Sequence, residues 1–289
     1  MADLLRETNE ILRSLGVRPQ KRRSQNFMID AAALAAIADA AVVNNSSAVA
    51  LEIGPGLGFL TRELLSRGLR VLAVEKDRIF AKYLGERFKG PNFQVLEKDI
   101  LEVSPKEDLG LRQPVTVVAN IPYNITSSVL EWLIVQRAYV SRAMLTMQWE
   151  VAQRLRAVPA TKEWGSLSLF IQTYAEVRIV RKIPKKSFFP APKVDSAVVE
   201  LIFSKTPRFF VRDKALFFKI VRRSFQKRRK TALNALADQE CPKALLEEAF
   251  RRAGLSSTRR AETFTIPEWA LLSDALAKSL RPMRGDAIL

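Results

Sequence analysis

Through residues 1–150, short apolar runs alternate with segments that have the three-to-four-residue spacing of an amphipathic helix. This alternation is typical of a parallel sheet whose strands are joined by covering helices. Helices are predicted at residues 31–41, 59–67, 77–88 and 150–156. Apolar runs predict strands at 48–53, 71–74, 93–96, 115–118, 143–147, 177–183 and 197–203. We therefore predict an α/β fold with a seven-stranded, mostly parallel sheet.

The β pattern ends near residue 205, and a different composition follows. Helical spacing there predicts short helices at 213–225, 229–236, 242–252 and 267–278. Residues 206–289 carry 18 Lys and Arg against 9 Asp and Glu. We predict two domains, an α/β domain over residues 1–205 and a small, basic, all-helical domain over residues 206–289.

The whole chain is basic, with 47 Lys and Arg against 30 Asp and Glu and a formal net charge of +17. This excess favours an extended anionic partner, nucleic acid before a membrane, over the alternative of a merely soluble basic surface. Histidine is absent from the sequence, which removes the commonest general base and the commonest metal ligand. We expect chemistry that needs neither an imidazole nor a metal.

Cysteine usage and the N-terminal residues indicate a reducing compartment. Cys241 is the single cysteine, so no disulfide can form within the chain. The N-terminus is interrupted by charge every few residues and lacks the apolar stretch of a signal peptide. Apolar runs stay below the roughly 18 residues that cross a membrane. We expect a cytoplasmic protein without a membrane anchor, with a processed organellar form as the alternative.

A glycine-rich loop with Gly54, Gly56 and Gly58 follows the first predicted strand and precedes a helix. Such glycines let a nucleotide-like ligand approach the backbone closely, although a ligand-free turn has the same composition. A dinucleotide fingerprint would need glycine at position 59, where the chain has Phe59, and the Gly-Lys-Ser/Thr of a phosphate-binding loop is absent. The spacing favours S-adenosylmethionine over NAD or ATP.

The next two strands also end in carboxylates, at Glu75 and Asp99. Ligands of open parallel sheets bind at the carboxyl ends of the strands. A carboxylate at Glu75 can accept both hydroxyls of a ribose, and one at Asp99 can accept an adenine amine while Ile100 packs on the ring. Either carboxylate alone is compatible with a solvated loop, but together with the glycines they favour a cofactor site.

The segment Asn120-Ile121-Pro122-Tyr123 follows the fourth predicted strand. Methylating an exocyclic adenine amine requires hydrogen-bond acceptors aimed at a nitrogen that becomes positive in the transition state. We expect the Asn120 side-chain oxygen and a backbone carbonyl of Ile121 or Pro122 to be these acceptors, because Pro122 fixes the local backbone. Tyr123 can stack on the extruded base. An Asx-Pro turn without function is the alternative.

These motifs resemble those of the ribosomal RNA adenine N6,N6-dimethyltransferase family. The resemblance covers nearly the whole chain and implies a class I, Rossmann-like S-adenosylmethionine methyltransferase with a helical C-terminal domain. Residues 24–28 resemble the family's N-terminal segment over the cofactor, with Ser24 and Met28 replacing glycine and leucine. This match implies that Asn26 and Met28 contact the cofactor.

Residues 188–196 resemble the family's second aromatic wall. The match implies that Phe188 sandwiches the target adenine opposite Tyr123, although a core position for Phe188 is equally compatible with the residues alone. Residues 148–155 and 228–231 match further family segments.

A run of cations follows one predicted helix into its turn, at Arg222, Arg223, Lys227, Arg228, Arg229 and Lys230. We predict phosphate contacts here, the alternative being a solvated face. Contacts of this kind position RNA without identifying its sequence, so the shape of folded RNA would be recognised.

The resemblance implies dimethylation of two adjacent adenosines near the 3′ end of small-subunit rRNA, by a monomer acting on the RNA or a pre-30S particle. One alternative is a related enzyme that methylates large-subunit rRNA. A non-catalytic RNA-binding assembly factor is another. A DNA adenine methyltransferase would more typically have Asp-Pro-Pro-Tyr at residues 120–123.

Overall fold

The computed structural model describes residues 2–20, 25–43, 48–227, 229–239 and 241–280. Its strands are β1 Phe27–Met28, β2 Val49–Ile53, β3 Arg70–Glu75, β4 Phe93–Glu97, β5 Val115–Asn120, β6 Val140–Gln148, β7 Ala175–Ile183, β8 Phe188–Phe189 and β9 Ser196–Phe203. Its helices are α1 Ala2–Ser14, α2 Ala31–Val42, α3 Phe59–Ser66, α4 Arg78–Arg87, α5 Thr126–Val135, α6 Trp149–Arg156, α7 Ser166–Tyr174, α8 Lys214–Gln226, α9 Ala232–Leu236, α10 Lys243–Arg252 and α11 Ile266–Leu280.

Within the described residues, the main sheet has seven strands in the order β4-β3-β2-β5-β6-β9-β7. The five strands from β4 to β6 pair in parallel, and β9 pairs antiparallel to β6. The predicted seven-stranded, mostly parallel sheet is confirmed. The strand order reverses at β2, which pairs with β3 on one side and β5 on the other. Such a reversal leaves a crevice at the carboxyl ends of the strands.

The central strands are buried on both faces, which explains why their sequences are mainly apolar. In β2, Ala50 and Leu51 are fully buried, and in β5 Val117 and Val118 are fully buried. Helices α2, α3 and α4 add their apolar faces to the same core. A rigid sheet therefore carries the loops at its carboxyl edge.

The start of α3 requires glycine. Gly58 has a φ of 77°, a left-handed conformation that suits glycine. A Cβ atom there would lie 2.5 Å from the Phe88 ring and 2.8 Å from Leu84. The loop after β2 can therefore approach α4 closely only because position 58 has no side chain.

The sequence pattern does not predict α1, α5, α7 or the two-stranded sheet of β1 and β8. Helix α1 contacts the α/β core through ion pairs as well as apolar side chains. The Glu7 carboxylate lies 3.0 Å from an Arg62 guanidinium nitrogen and 2.6 Å from one of Arg87. Because Arg62 is on α3 and Arg87 on α4, one carboxylate links three helices.

The chain forms two compact units. The first comprises Met1–Ala152 and Glu176–Lys205, and the second comprises Gln153–Ala175 and Thr206–Leu289. The first unit ends at Lys205, and residues 153–175 group with the helical unit rather than with the α/β domain. Their apolar side chains explain this grouping, because Trp164 is 1% exposed and its indole N–H donates to the Phe264 carbonyl at 3.1 Å.

The helical unit has its own hydrophobic core. Phe217 of α8, Phe250 of α10 and Trp269 of α11 are each at most 1% exposed within it. A separate core is the hallmark of an independent domain. Among the described residues, no helix combines the length and hydrophobicity that a membrane crossing needs.

Candidate active site

A cavity of about 310 Å³ lies at the carboxyl ends of β2, β3 and β5 within the first unit. Its position matches the crevice expected where the strand order reverses. Ten residues predicted from the sequence line this cavity: Asn26, Met28, Gly54, Gly56, Glu75, Asp99, Ile100, Asn120, Pro122 and Tyr123. The fold therefore brings together the N-terminal segment, the glycine loop, both carboxylates and the segment after β5.

Glu75 ends β3 and is 8% exposed. The Gly56 N–H donates to its Oε2 at 3.1 Å, and the Asp77 N–H donates to its Oε1 at 2.9 Å. Burial raises the pKa of the Glu75 carboxyl, although both backbone hydrogen bonds oppose the rise. Each carboxylate oxygen has two acceptor positions, so this side chain can accept two further hydroxyl donors from a ligand.

The glycine loop also contacts β1. Gly56 has a φ of 57°, and a Cβ atom there would lie 3.2 Å from the Phe27 ring. The Phe27 ring in turn packs edge-on against Phe80 of α4, with 5.8 Å between ring centroids. A side chain at position 56 would require the Phe27 ring to shift by a few tenths of an ångström, so this glycine lets the loop lie close to β1.

Asp99 follows β4 and begins the short 3-10 turn Ile100–Glu102. Lys76 Nζ lies 2.6 Å from its Oδ2, and the Leu101 N–H donates to its Oδ1 at 3.1 Å. Burial acts to raise the pKa of Asp99, but these hydrogen bonds outweigh burial and hold the pKa below its usual value. The group is therefore an ionised acceptor at neutral pH, and Ile100 beside it is buried.

Glu52 is a pocket residue that the sequence-based prediction missed. It lies within β2, is 1% exposed and lines the cavity. Thr61 Oγ1 donates to its Oε2 at 2.6 Å. Burial, reinforced by the nearby charge of Glu75, raises the pKa of Glu52 to about 8. A charged residue inside the apolar run Val-Ala-Leu-Glu-Ile was the signal that could have identified it.

Asn120 connects the end of β5 to the N-terminal segment. Its Nδ2 donates to the Asn26 carbonyl at 2.9 Å. This bond uses the amide nitrogen, so the side-chain oxygen is the part of Asn120 that can accept from a substrate. The Pro122 carbonyl already accepts one hydrogen bond, because the Ile125 N–H donates to Pro122 O at 3.1 Å.

Tyr123 is oriented by a residue from a distant strand. Its Oη lies 2.6 Å from Ser196 Oγ, and Ser196 is fully buried at the start of β9. Burial raises the pKa of the Tyr123 hydroxyl, with the Ser196 hydrogen bond acting in the opposite direction. The phenol is therefore neutral at physiological pH, and its ring is held at the edge of the cavity.

Phe188 occupies a different place from the one its predicted role requires. It is 2% exposed, belongs to the core of the first unit and is not among the residues that line the cavity. Phe188 and Phe189 form β8, which pairs antiparallel with β1 in the register Phe27 with Phe189 and Met28 with Phe188. The predicted aromatic wall and the predicted cofactor cover are thus strands of one small sheet.

The predicted phosphate-contacting run belongs to the helical unit. Arg223 is half-buried and forms an ion pair with Asp238. Arg228 lies outside the described residues. The exposed cations near the end of α8 and in the following turn are Arg222, Lys227, Arg229 and Lys230. Their exposure is compatible with both the phosphate-binding hypothesis and a solvated face.

Comparisons with known proteins cover almost the whole chain. The family model described as ribosomal RNA adenine dimethylase matches residues 17–278. Ribosomal RNA small subunit methyltransferase A of Clostridium botulinum (strain Kyoto / Type A2) is 39% identical over 93% of this chain and 98% of the relative. The protein of the same name from Clostridium perfringens (strain SM101 / Type A) is 39% identical over 94% of this chain and 95% of the relative.

Two solved structures share the fold over a similar extent. A dimethyladenosine transferase from Plasmodium falciparum has a TM-score of 0.73 and 25% identity, covering 88% of this chain and 98% of that one. The 23S rRNA methyltransferase ErmE has a TM-score of 0.65 and 28% identity, covering 87% of this chain and all of that one. Because the family model and these relatives cover almost the whole chain, this chain belongs to the ribosomal RNA adenine dimethylase family.

Proposed function

We propose that this protein dimethylates N6 of two adjacent adenosines near the 3′ end of small-subunit rRNA, with S-adenosylmethionine as methyl donor. The observation that carries the proposal is the segment Asn120–Tyr123 in the wall of a cavity built from the glycine loop and two carboxylates. The small-subunit substrate is supported by relatives of that name, 39% identical over 93% of the chain.

The residues of the cavity fit S-adenosylmethionine, which supplies an electrophilic methyl group on a sulfonium. The remaining acceptor positions of Glu75 suit the two ribose hydroxyls. Asp99, ionised and beside the buried Ile100, suits the amine and the ring face of the adenine moiety. We assign Gly54, Gly56, Asn26 and Met28 to the remaining walls, with Gly56 allowing close approach of the backbone.

The acceptors for the target amine come from the segment after β5. The lone pair of an exocyclic adenine nitrogen is delocalised into the ring, so the transition state is stabilised by acceptors placed at the hydrogens of that nitrogen. Asn120 offers its side-chain oxygen because its nitrogen is bonded to Asn26. We assign the second acceptor to the Ile121 carbonyl, which adjoins Asn120, in preference to Pro122 O, one of whose two lone pairs is taken by the Ile125 N–H.

Aromatic stacking would hold the extruded adenine. Tyr123 lines the cavity, with its hydroxyl bonded to Ser196. Phe188 can form the opposite wall only if β8 moves when the base binds, because its ring is 2% exposed. We therefore propose Tyr123 as the first contact and Phe188 as a contact made on closure.

We further propose that the enzyme acts as a cytoplasmic monomer on folded rRNA or a pre-30S particle. The basic helical unit would contact phosphates through Arg222, Arg223, Lys227, Arg228, Arg229 and Lys230. Such contacts position a folded RNA without distinguishing its bases.

The test is methyl transfer from labelled S-adenosylmethionine to undermethylated small subunits and, in parallel, to purified small- and large-subunit rRNA. Digestion of the small-subunit RNA should release labelled N6,N6-dimethyladenosine, and the Asn120→Ala variant should release little. Label confined to large-subunit RNA would favour the alternative that the likeness to ErmE suggests. Cofactor and RNA binding without any methylated product would identify a non-catalytic assembly factor instead.

A further inference from the structure

Phe210 is the most exposed of the large apolar side chains in the described part of the chain, with 76% of its surface accessible. It lies in the segment that precedes α8, within the helical unit. A single exposed apolar side chain is common on soluble proteins, so the neighbours of Phe210 decide whether it has a role. The predicted phosphate-contacting run does not include this residue.

The backbone on both sides of Phe210 is anchored. Val211 is 8% exposed in the core of the helical unit, and Phe209 packs against the same core. The Arg208 N–H donates to Thr173 O at 2.8 Å. With Phe209 and Val211 held against the core, the Phe210 side chain between them is left exposed to solvent. Its exposure therefore follows from the fold of the segment rather than from a loose end.

Arginines occupy the second position before and the second position after Phe210. Arg208 and Arg212 are both exposed. The Arg208 guanidinium is 6.0 Å from the Phe209 ring and donates to Ala175 O at 3.1 Å. The Arg212 side chain is 56% exposed and lies 3.9 Å from the Asp274 carboxylate. Each arginine therefore has a protein acceptor, and the two lie two residues before and two residues after the exposed ring.

This combination matches single-stranded RNA better than a protein surface. Unpaired bases stack on aromatic rings, and the adjoining phosphates are neutralised by arginine. The charge of the chain, +17, adds long-range attraction for the same partner. An apolar protein patch would instead have to desolvate two guanidinium groups.

We propose that Phe210 is a stacking platform for an unpaired base of the RNA substrate, with Arg208 and Arg212 contacting the adjoining phosphates. The site lies in the helical unit and not in the cavity of the first unit, so it would hold a base other than the target adenine. The proposal rests on the proposed function in that it takes the partner to be RNA.

The experiment compares full-length Phe210→Ala, Phe210→Trp and Leu271→Ala with the unaltered chain. Leu271 is a matched control because it is 54% exposed on α11 of the same unit. The probes are a fluorescein-labelled single-stranded oligoribonucleotide and its fully paired duplex. Phe210→Ala should weaken binding of the single strand about tenfold while leaving its salt dependence unchanged, because stacking releases no counterions.

Phe210→Trp should restore the affinity, and its additional indole emission should be quenched on binding. Arg212→Gln should weaken binding and flatten the salt dependence. Equal affinities for Phe210→Ala and Leu271→Ala, or equal losses on single strand and duplex, would overturn the proposal. Methyl transfer to rRNA is measured separately. If the chain methylates rRNA but Phe210→Ala does not change RNA binding, the stacking site alone is refuted. If RNA binding depends on Phe210 but no rRNA is methylated, the proposed function alone is refuted.

Discussion

Replacing the buried carboxyl of Glu52 by an amide should change how stability depends on pH. The Glu52→Gln variant keeps the size of the side chain and an oxygen that can accept from Thr61 Oγ1. It removes the only group at this position that can ionise. In the unfolded chain the carboxyl ionises near its ordinary pKa of 4.5, whereas in the folded protein burial raises the pKa to about 8.

The sign follows from proton uptake. Between pH 4.5 and about 8 the folded protein holds a proton at Glu52 that the unfolded chain has lost, so the free energy of unfolding falls as pH rises. Each pKa unit corresponds to about 1.4 kcal/mol, so the full penalty approaches about 5 kcal/mol above pH 8 and is about 3 kcal/mol at pH 7. Below pH 4.5 the carboxyl carries no penalty.

The assay is urea unfolding at five pH values between about 5 and 9. Unfolding is monitored by hydrogen exchange of peptides from β2, so that the unit containing Glu52 is the one observed. The stability of Glu52→Gln minus that of the unaltered chain should rise by about 4 kcal/mol across this range. Glu97→Gln, at the exposed end of β4, controls for removal of a carboxylate. A difference independent of pH, or one that falls as pH rises, would refute the reasoning.

Three further predictions concern catalysis and RNA binding. Asn120→Ala should lower turnover by about two orders of magnitude while weakening calorimetric cofactor affinity at most about tenfold through the lost bond to Asn26; unchanged turnover would contradict the acceptor role. In a double-mutant cycle on kcat/KM, Ser196→Ala and Tyr123→Phe should be non-additive, and additive losses would show that their hydrogen bond does not position the ring. Neutralising Arg229 and Lys230 should flatten the log-log salt dependence of RNA binding by up to about one unit per phosphate contact, whereas an unaltered slope would indicate a solvated face.

The elements that the sequence predicts are those with a strong local signal. The strands β2 and β5 are mainly apolar, and the glycine loop after β2 and Asn120 at the end of β5 lie at the same edge of the sheet. Because the carboxyl ends of parallel strands lie at one edge of the sheet, the sequence predicts that Glu75, Asp99 and Asn120 surround one cavity. Local pattern and topology together therefore predict most of the cavity wall.

The missed features depend on distant partners. Strands β1 and β8 have two residues each, too few for any periodicity to appear. Ser196 and Tyr123 are 73 residues apart, and Asn26 and Asn120 are 94 apart. A serine at the start of a strand has no feature that marks it as a partner for a tyrosine. Whether Phe188 lies in the core or in the cavity wall likewise depends on how β8 packs, which the sequence around Phe188 does not indicate.

Residues 153–175 show a similar limit at the level of domains. Trp164 and Leu169 are fully or almost fully buried in the core of the helical unit. Their sequence neighbours on both sides belong to the α/β unit, so a division by position alone places them there. The hydrogen bond from Trp164 to the Phe264 carbonyl joins residues that are 100 positions apart, and the sequence around either residue does not predict it.

The small sheet of β1 and β8 has a consequence for the working cycle of the enzyme. Two methyl groups on one amine consume two molecules of S-adenosylmethionine, so the cavity must empty and refill between them. The N-terminal segment, which forms one wall of the cavity, is held at two places. Residues 27–28 pair with β8, and the Asn26 carbonyl accepts a hydrogen bond from Asn120. A cofactor exchange that displaced this wall would also break the Asn120–Asn26 hydrogen bond, so reloading would then be coupled to the orientation of the Asn120 side chain.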